Sequence, residues 1–234
     1  MTPILQTALP QAQEGAPRLP GTMPCGADDW LRVDDVYAGQ MDYRARLLCD
    51  RKEAVLYEKE GCAASSEVLE EALKILPTLG FAVSATDVAC PDGRVVAIDR
   101  AAPLLTLGHL VQEDICVLEK RGAEHVLTAA ALCFPAGWKL ADKINRPLIG
   151  IHEPVDQYDD NIARRVQRLF DGVQVGRPLW RFNKLRYIDP DLHQPFKRVK
   201  GAQMPFVRSE RQCILRLPRT HAVIFTIHTY VVRE

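Results

Sequence analysis

Two short stretches carry residue types whose spacing could do chemistry: 152-HEP-154 and 208-RSERQ-212. His152 ends the apolar run 147-PLIGI-151, and Pro154 stiffens the chain and bars a helix from continuing there. A histidine leaving an ordered segment at a fixed angle suits an axial iron ligand, one ring nitrogen on the metal and the other oriented by a carbonyl or carboxylate. A loop histidine bonded to backbone fits the same residues. In the second stretch a period of two puts Arg208, Glu210 and Gln212 on one strand face and Ser209, Arg211, Cys213 and Leu215 on the other. In a desolvated cavity Glu210 could hold a cationic amine or relay a proton. On a wet surface it would only pair weakly with Arg208. The polar-pocket alternative, with Glu210 facing a ligand cavity, is the expectation carried forward.

The run 179-LWRFNKLRY-187 repeats the pattern, with Arg181 and Asn183 between Leu179 and Leu185 on one face. Those donors suit a propionate or a small polar ligand, and they suit a solvated face as well. His228 shares a strand face with Thr226 and Tyr230. His109, His125, His193 and His221 fall in turns or at element ends. The sequence has no HExxH, GxSxG, GxGxxG, P-loop or nucleic-acid motif. Seven cysteines, at 25, 49, 62, 90, 116, 133 and 213, form no CxxC pair, which argues against a structural zinc or iron–sulfur site and for reduced thiols in a cytoplasm.

The positioning elements are legible in outline. Residues 1–28, rich in Pro, Gln and Gly, read as a flexible lead-in, and 29–234 as one domain. Helix formers fill 34–59. A second helix spans 66–76 with Ser66 as its N-cap, Val68, Leu69, Leu73 and Leu76 on one face and Pro77 at its end. Strands at 81–85 and 94–99 flank a Pro-Asp-Gly turn, and strands at 115–120 and 126–134 meet at Gly122. A helix over 157–171 carries Ile162, Val166, Leu169 and Phe170 on one stripe. Strands at 179–187, 206–217 and 222–233 complete an α+β chain with an antiparallel sheet and a helical N-terminal region.

Composition narrows the function classes. The 234 residues balance 30 Lys and Arg against 30 Asp and Glu, so no global attraction to nucleic acid or anionic membrane follows. The longest apolar runs, such as 222-AVIFTI-227, are too short to span a bilayer, and the first residues lack the pattern of a secretory signal.

One family shows the following motifs in this order: W-L-x-V-D-D-x-Y at 30–37, Q-E-D at 112–114, C-F-P-x-x-W at 133–138, K-x-x-R-P at 143–147, I-H-x-P-V at 151–155, W-R-x-N at 180–183, E-R-Q at 210–212, L-P-R-T at 217–220 and F-T-I-x-T-Y at 225–230. The chain resembles the haem-dependent oxidative N-demethylase α-subunit family from Trp30 to the C-terminus. That resemblance implies a PAS-like haem-binding fold. It also implies oxidative removal of a methyl group from a small secondary amine, dimethylamine, with O₂. Electrons would come from NADPH through a separate subunit carrying flavin and an iron–sulfur cluster. The cofactor implied is haem b with its iron. His152 becomes the axial ligand, Glu210 the residue that holds the amine, and Arg181, Asn183 and Arg211 contacts for haem propionates or for that carboxylate. Lys184, Ser209 and His228 depart from the family pattern, which raises the question of the substrate. A haem-based gas sensor or binding module, and an interaction protein that has lost haem, are the competing classes.

Overall fold

The computed structural model of the chain describes residues 2–17, 21–148, 160–199, 201 and 203–234. Its frame is the C-terminal hairpin predicted from alternation: β9 (Phe206–Arg216) and β10 (Val223–Arg233) pair from Arg216↔Val223 to Phe206↔Arg233. The turn between them carries the L-P-R-T motif. The buried Glu67 carboxylate accepts the backbone N–H groups of Arg219 (2.6 Å) and Thr220 (2.8 Å), so amides that a tight turn cannot pair are satisfied from outside it. β8 (Leu179–Tyr187) lies along the other edge of β9. The hairpin β6 (Asp114–Arg121) and β7 (Glu124–Ala131) turns at Gly122, whose φ of 63° is left-handed, and β6 joins β10. Two-residue strands β1 (Met23–Pro24) and β2 (Leu56–Tyr57) close the edges, giving the order β1-β8-β9-β10-β6-β7-β2, antiparallel throughout. Very short edge strands leave little unpaired backbone for another chain to join.

Helices cover both faces. On the first lie α1 (Tyr37–Asp50), α3 (Ala63–Ile75) and α4 (Pro103–Leu110), packed through Met41, Val68, Leu69, Leu104 and Leu107 onto Ile115, Val117, Ala129 and Ile224. On the second, α5 (Asp160–Gly172) and the segment 132–148 place Phe170, Leu132, Leu140 and Leu148 against Cys116, Ile214 and Ile227. Val166 and Leu169 of the predicted stripe pack there as well.

Several details differ from expectation. The helical stretch predicted over 34–59 is α1 plus a single turn, α2 (Lys52–Val55). The next helix is capped at Cys62, and Ser66 lies inside it with its hydroxyl donating to the Cys62 carbonyl (3.3 Å). A serine bonded back to the preceding turn serves the helix interior and leaves no acceptor for an N-cap. Strands 81–85 and 94–99 do not pair directly. The Pro-Asp-Gly turn joins β4 (Asp87–Ala89) to β5 (Val95–Ala97), and β3 (Ala82–Val83) adds on the far side of β4 in a separate three-stranded sheet.

The lead-in is docked where it is described. β6 pairs with β10 only over Val223–Ile227, which leaves the backbone from His228 onward open on that edge. Gln6 fills the gap. Its N–H donates to the Val231 carbonyl (2.9 Å), its side-chain oxygen accepts the Val231 N–H (2.7 Å), and its amide nitrogen donates to the Thr229 carbonyl (3.2 Å). Gln13 is buried further along and accepts the Ser209 hydroxyl (2.7 Å). A Gln-rich segment expected to be flexible thus supplies edge bonds that a strand would otherwise make. No helix among the described residues is long and apolar enough to cross a membrane.

Candidate functional site

Strand register sorts the polar residues of the sheet into two groups. Asn183 pairs with Glu210 and Glu210 with Thr229, while Arg181 pairs with Gln212 and Leu185 with Arg208. Arg181, Asn183, Arg208, Glu210, Gln212 and Thr229 therefore share the second face, on three adjacent strands. Glu210 is only 5% exposed, Arg208 2% and Gln212 9%, so the wet-surface alternative for this run does not hold.

The Glu210 carboxylate is fixed from three directions. Oε1 accepts Arg208 Nε (3.1 Å), and Oε2 accepts Asn183 Nδ2 (2.9 Å) and Gln212 Nε2 (3.2 Å). Arg208 is immobilised in turn, with Nη1 and Nη2 donating to the Leu192 (2.8 Å) and Phe134 (2.6 Å) carbonyls. A buried ion pair is tolerable only when its remaining donors and acceptors are met in this way. A carboxylate offers about four lone-pair positions, so three bonds leave room for one more donor.

Two donors beside Glu210 are unanswered. Arg181 Nε is enclosed and has no partner among the described residues, and the Thr229 hydroxyl, buried opposite Glu210, has none either. Burial holds the Arg181 pKa below the ordinary guanidinium value, while the nearby Glu210 charge pulls it back up. Leaving a buried donor unpaired costs about 1–3 kcal/mol, a cost that a bound carboxylate would remove at Arg181. A haem propionate is such a group, so the donor set here fits that part of the cofactor. His152, the expected iron ligand, lies outside the described residues. Among the described residues no cluster of three or more His, Cys, Asp or Glu is arranged to hold a metal ion.

Arg211 does not join the group. It projects to the first face, where Nη2 donates to Asp29 (2.8 Å), Nη1 to the Cys213 sulfur (2.8 Å), and the guanidinium lies 5.2 Å from the centre of the Trp180 ring. His228 lies on that face too, fully buried, with Nδ1 on Glu113 (2.8 Å) and Nε2 on Asp34 (3.1 Å). Burial alone would lower the His228 pKa; the Glu113 and Asp34 carboxylates outweigh it and raise it to about 9, so the imidazole is cationic at neutral pH. The Q-E-D motif is the anchor of this centre. Gln112 bonds the Asp34 backbone and side chain and Gln40, Glu113 takes the Arg32 N–H and His228, and Asp114 pairs with the buried Arg44 and accepts the Cys133 and Phe134 N–H groups.

The three departures from the family pattern all belong to this first face. Lys184 donates to the Glu14 carbonyl, Ser209 to Gln13, and His228 bonds Asp34, so they meet the N-terminal segment and its neighbours and turn away from Glu210. Sequence reasoning missed Thr229 as a member of the Glu210 group. The signal available was the hairpin register: once strands ending at Leu217 and starting at Ala222 are paired across the turn, Thr229 falls opposite Glu210. A model of the family described as haem-dependent oxidative N-demethylase, alpha subunit-like, matches residues 21–233.

Proposed function

Because the chain belongs to the haem-dependent oxidative N-demethylase, alpha subunit-like family, we propose that it is the haem-carrying subunit of an oxidative N-demethylase for a small secondary amine such as dimethylamine. The observation that carries this reading is the second face of the sheet: a buried carboxylate held rigid by three donors, beside two buried donors with no partner of their own. His152 is the proposed axial ligand and Arg181 the proposed propionate contact, while Asn183 orients the Glu210 carboxylate. Bound haem would supply activation of O₂ at iron.

The chain's own residues supply placement. Glu210 accepts an amine N–H at its remaining lone-pair position, and Asn183 and Gln212 keep Oε2 from rotating away. Arg208, tied to two carbonyls, holds Oε1 and cancels the Glu210 charge, so the carboxylate orients the amine without adding net charge to the face. The Thr229 hydroxyl, directly across from Glu210, is the second polar group able to meet the substrate or an ordered water. The overall conversion is amine plus O₂, NADPH and a proton to the demethylated amine, formaldehyde, NADP⁺ and water. The electrons come from a partner reductase bearing flavin and an iron–sulfur cluster. The same proposal takes the sheet as PAS-like, residues 29–234 as one haem-binding domain, and the cytoplasm as the compartment.

The test is an absorption spectrum of haem-supplemented protein, wild type beside His152→Ala, oxidised and then reduced under CO, followed by formaldehyde release from dimethylamine with a competent reductase. A Soret band altered by the substitution, together with NADPH-dependent formaldehyde, is the expected result. Haem binding without turnover of any amine would leave the sensor or binding-module reading, and no haem binding would end both.

A further inference from the structure

We propose that Gln212 sets the class of amine taken: its side-chain carbonyl is a second acceptor beside Glu210, so the site prefers secondary ammonium ions, with two N–H donors, to tertiary ones with a single N–H. The inference rests on the amine reading of the Glu210 face and assigns Gln212 a contact with substrate beyond its hold on Oε2. Strand register lays the face out in rows. Arg181, Gln212 and Ile227 form one row across β8, β9 and β10, and Asn183, Glu210 and Thr229 form the next. Gln212 and Glu210 thus project side by side from β9, an inner strand of the sheet. On β10, Ile227 and Val231 flank Thr229 and are buried, which gives the methyl groups of a small amine apolar neighbours.

The direction of the Gln212 amide follows from its neighbour. A carboxylate only accepts, and Gln212 Nε2 donates to Glu210 Oε2 at 3.2 Å. The amide oxygen is therefore turned away from the carboxylate while staying within one amide group of it. Among the described residues Gln212 Oε1 has no partner, and it is not sealed inside the protein. Two neighbours are weaker candidates for the same task. Thr229 carries a hydroxyl, which donates or accepts and so meets either kind of amine. Asn183 presents the same two amide groups, with Nδ2 on Oε2 at 2.9 Å, but it is half-buried on β8 toward the sheet's edge, where water reaches its oxygen more easily. Gln212 is 9% exposed, so bulk water does little to answer an acceptor left empty there.

A dimethylammonium ion gives one N–H to Glu210 and one to Gln212 Oε1, and turns its methyl groups to the apolar side. A trimethylammonium ion puts a methyl group where the second N–H would lie. Gln212 Oε1 is then covered and unpaired, and a charge-assisted hydrogen bond is missing. A site that hydrogen-bonds a substrate N–H discriminates strongly against an analogue lacking it, whereas size alone separates one methyl group by a modest factor. The two accounts differ in what a substitution does. Gln212→Met keeps the volume and removes the acceptor, so a preference that came from size survives it and one that came from Oε1 does not.

Calorimetric titration of haem-loaded protein with dimethylammonium and with trimethylammonium at neutral pH, without reductase or NADPH, reads this apart from turnover. Wild type should bind dimethylammonium at least about tenfold more tightly, and Gln212→Met should bring the two dissociation constants within about threefold of each other. Asn183→Ala, which also removes a donor to Oε2, should weaken both amines by similar factors and keep the preference. Should Gln212→Met fail to fold, Gln212→Asn, which draws the same amide back by one methylene, should shrink the preference in its place. Equal affinity of wild type for the two amines, a preference that survives substitution of Gln212, or one lost in Asn183→Ala instead would overturn the proposal and leave Glu210 as the group that holds the amine. Binding of neither amine by wild type would remove the amine reading of this face, and the inference with it.

Discussion

The two faces of one strand pair, β9 and β10, treat charge in opposite ways. On the first face His228, Glu113, Asp34, Arg211 and Asp29 are bonded within the chain, and the unpartnered atoms there, such as Glu113 Oε2 and Arg211 Nε, belong to side chains already held through another atom. On the second face Arg181 and Thr229 have no side-chain hydrogen bond among the described residues at all. A structural polar centre closes on itself, whereas a binding face keeps donors in reserve. Buried polar groups left open cost stability, so their persistence points to a ligand.

The largest effect is expected at Asp114, at the start of β6 opposite Ile227, where both partners of the Arg44 ion pair are fully buried. Asp114→Ala should lower the unfolding free energy in urea by about 3–5 kcal/mol, because it strands a buried cation and two backbone amides. An effect under ~1 kcal/mol would show that a polar pair closed within the chain is not a stabilising one. A pH titration comes next. The His228 pKa is raised from its unfolded value of 6.5 to about 9, so its contribution is fully present below pH 6.5 and is lost as pH rises through 9. The loss should approach ~3 kcal/mol, and His228→Asn should flatten the profile over that window. On the second face, Glu210→Gln should cut amine turnover at least about tenfold while haem binding persists, since the substitution removes an oriented acceptor and keeps the shape. Smallest in stability is Arg181→Leu, expected within ~0.5 kcal/mol of wild type or slightly stabilising, yet weakening haem retention in a transfer assay to apomyoglobin. A large stability loss there would place Arg181 among the structural residues.

The strands of this contrast were readable because alternation fixes their period and the turn residues bound the hairpin: β8 spans 179–187 as predicted, and β9 and β10 differ from prediction by one residue at one end each. Helix α4 escaped notice because 103-PLLTLGHL-110 is apolar all round and has no polar stripe to mark its period. Ser66 misled because serine serves caps and helix interiors through the same hydroxyl. The lead-in was misread for a different reason: Gln6 and Gln13 are polar by composition, but their amides substitute for missing strand partners, a use that only the tertiary edge reveals. Lys184, Ser209 and His228 each stand one residue from a member of the Glu210 group, and that single step along a strand puts each on the opposite face.

Thr229 belongs to both regions. Its carbonyl is gripped by Gln6 (3.2 Å) and Gln40 (3.0 Å), which also reach Asp34 and Gln112, while its hydroxyl opens on the far side across from Glu210. The residue works as a pivot pinned at one end. The N-terminal segment thereby holds the backbone of a residue whose side chain belongs to the binding face.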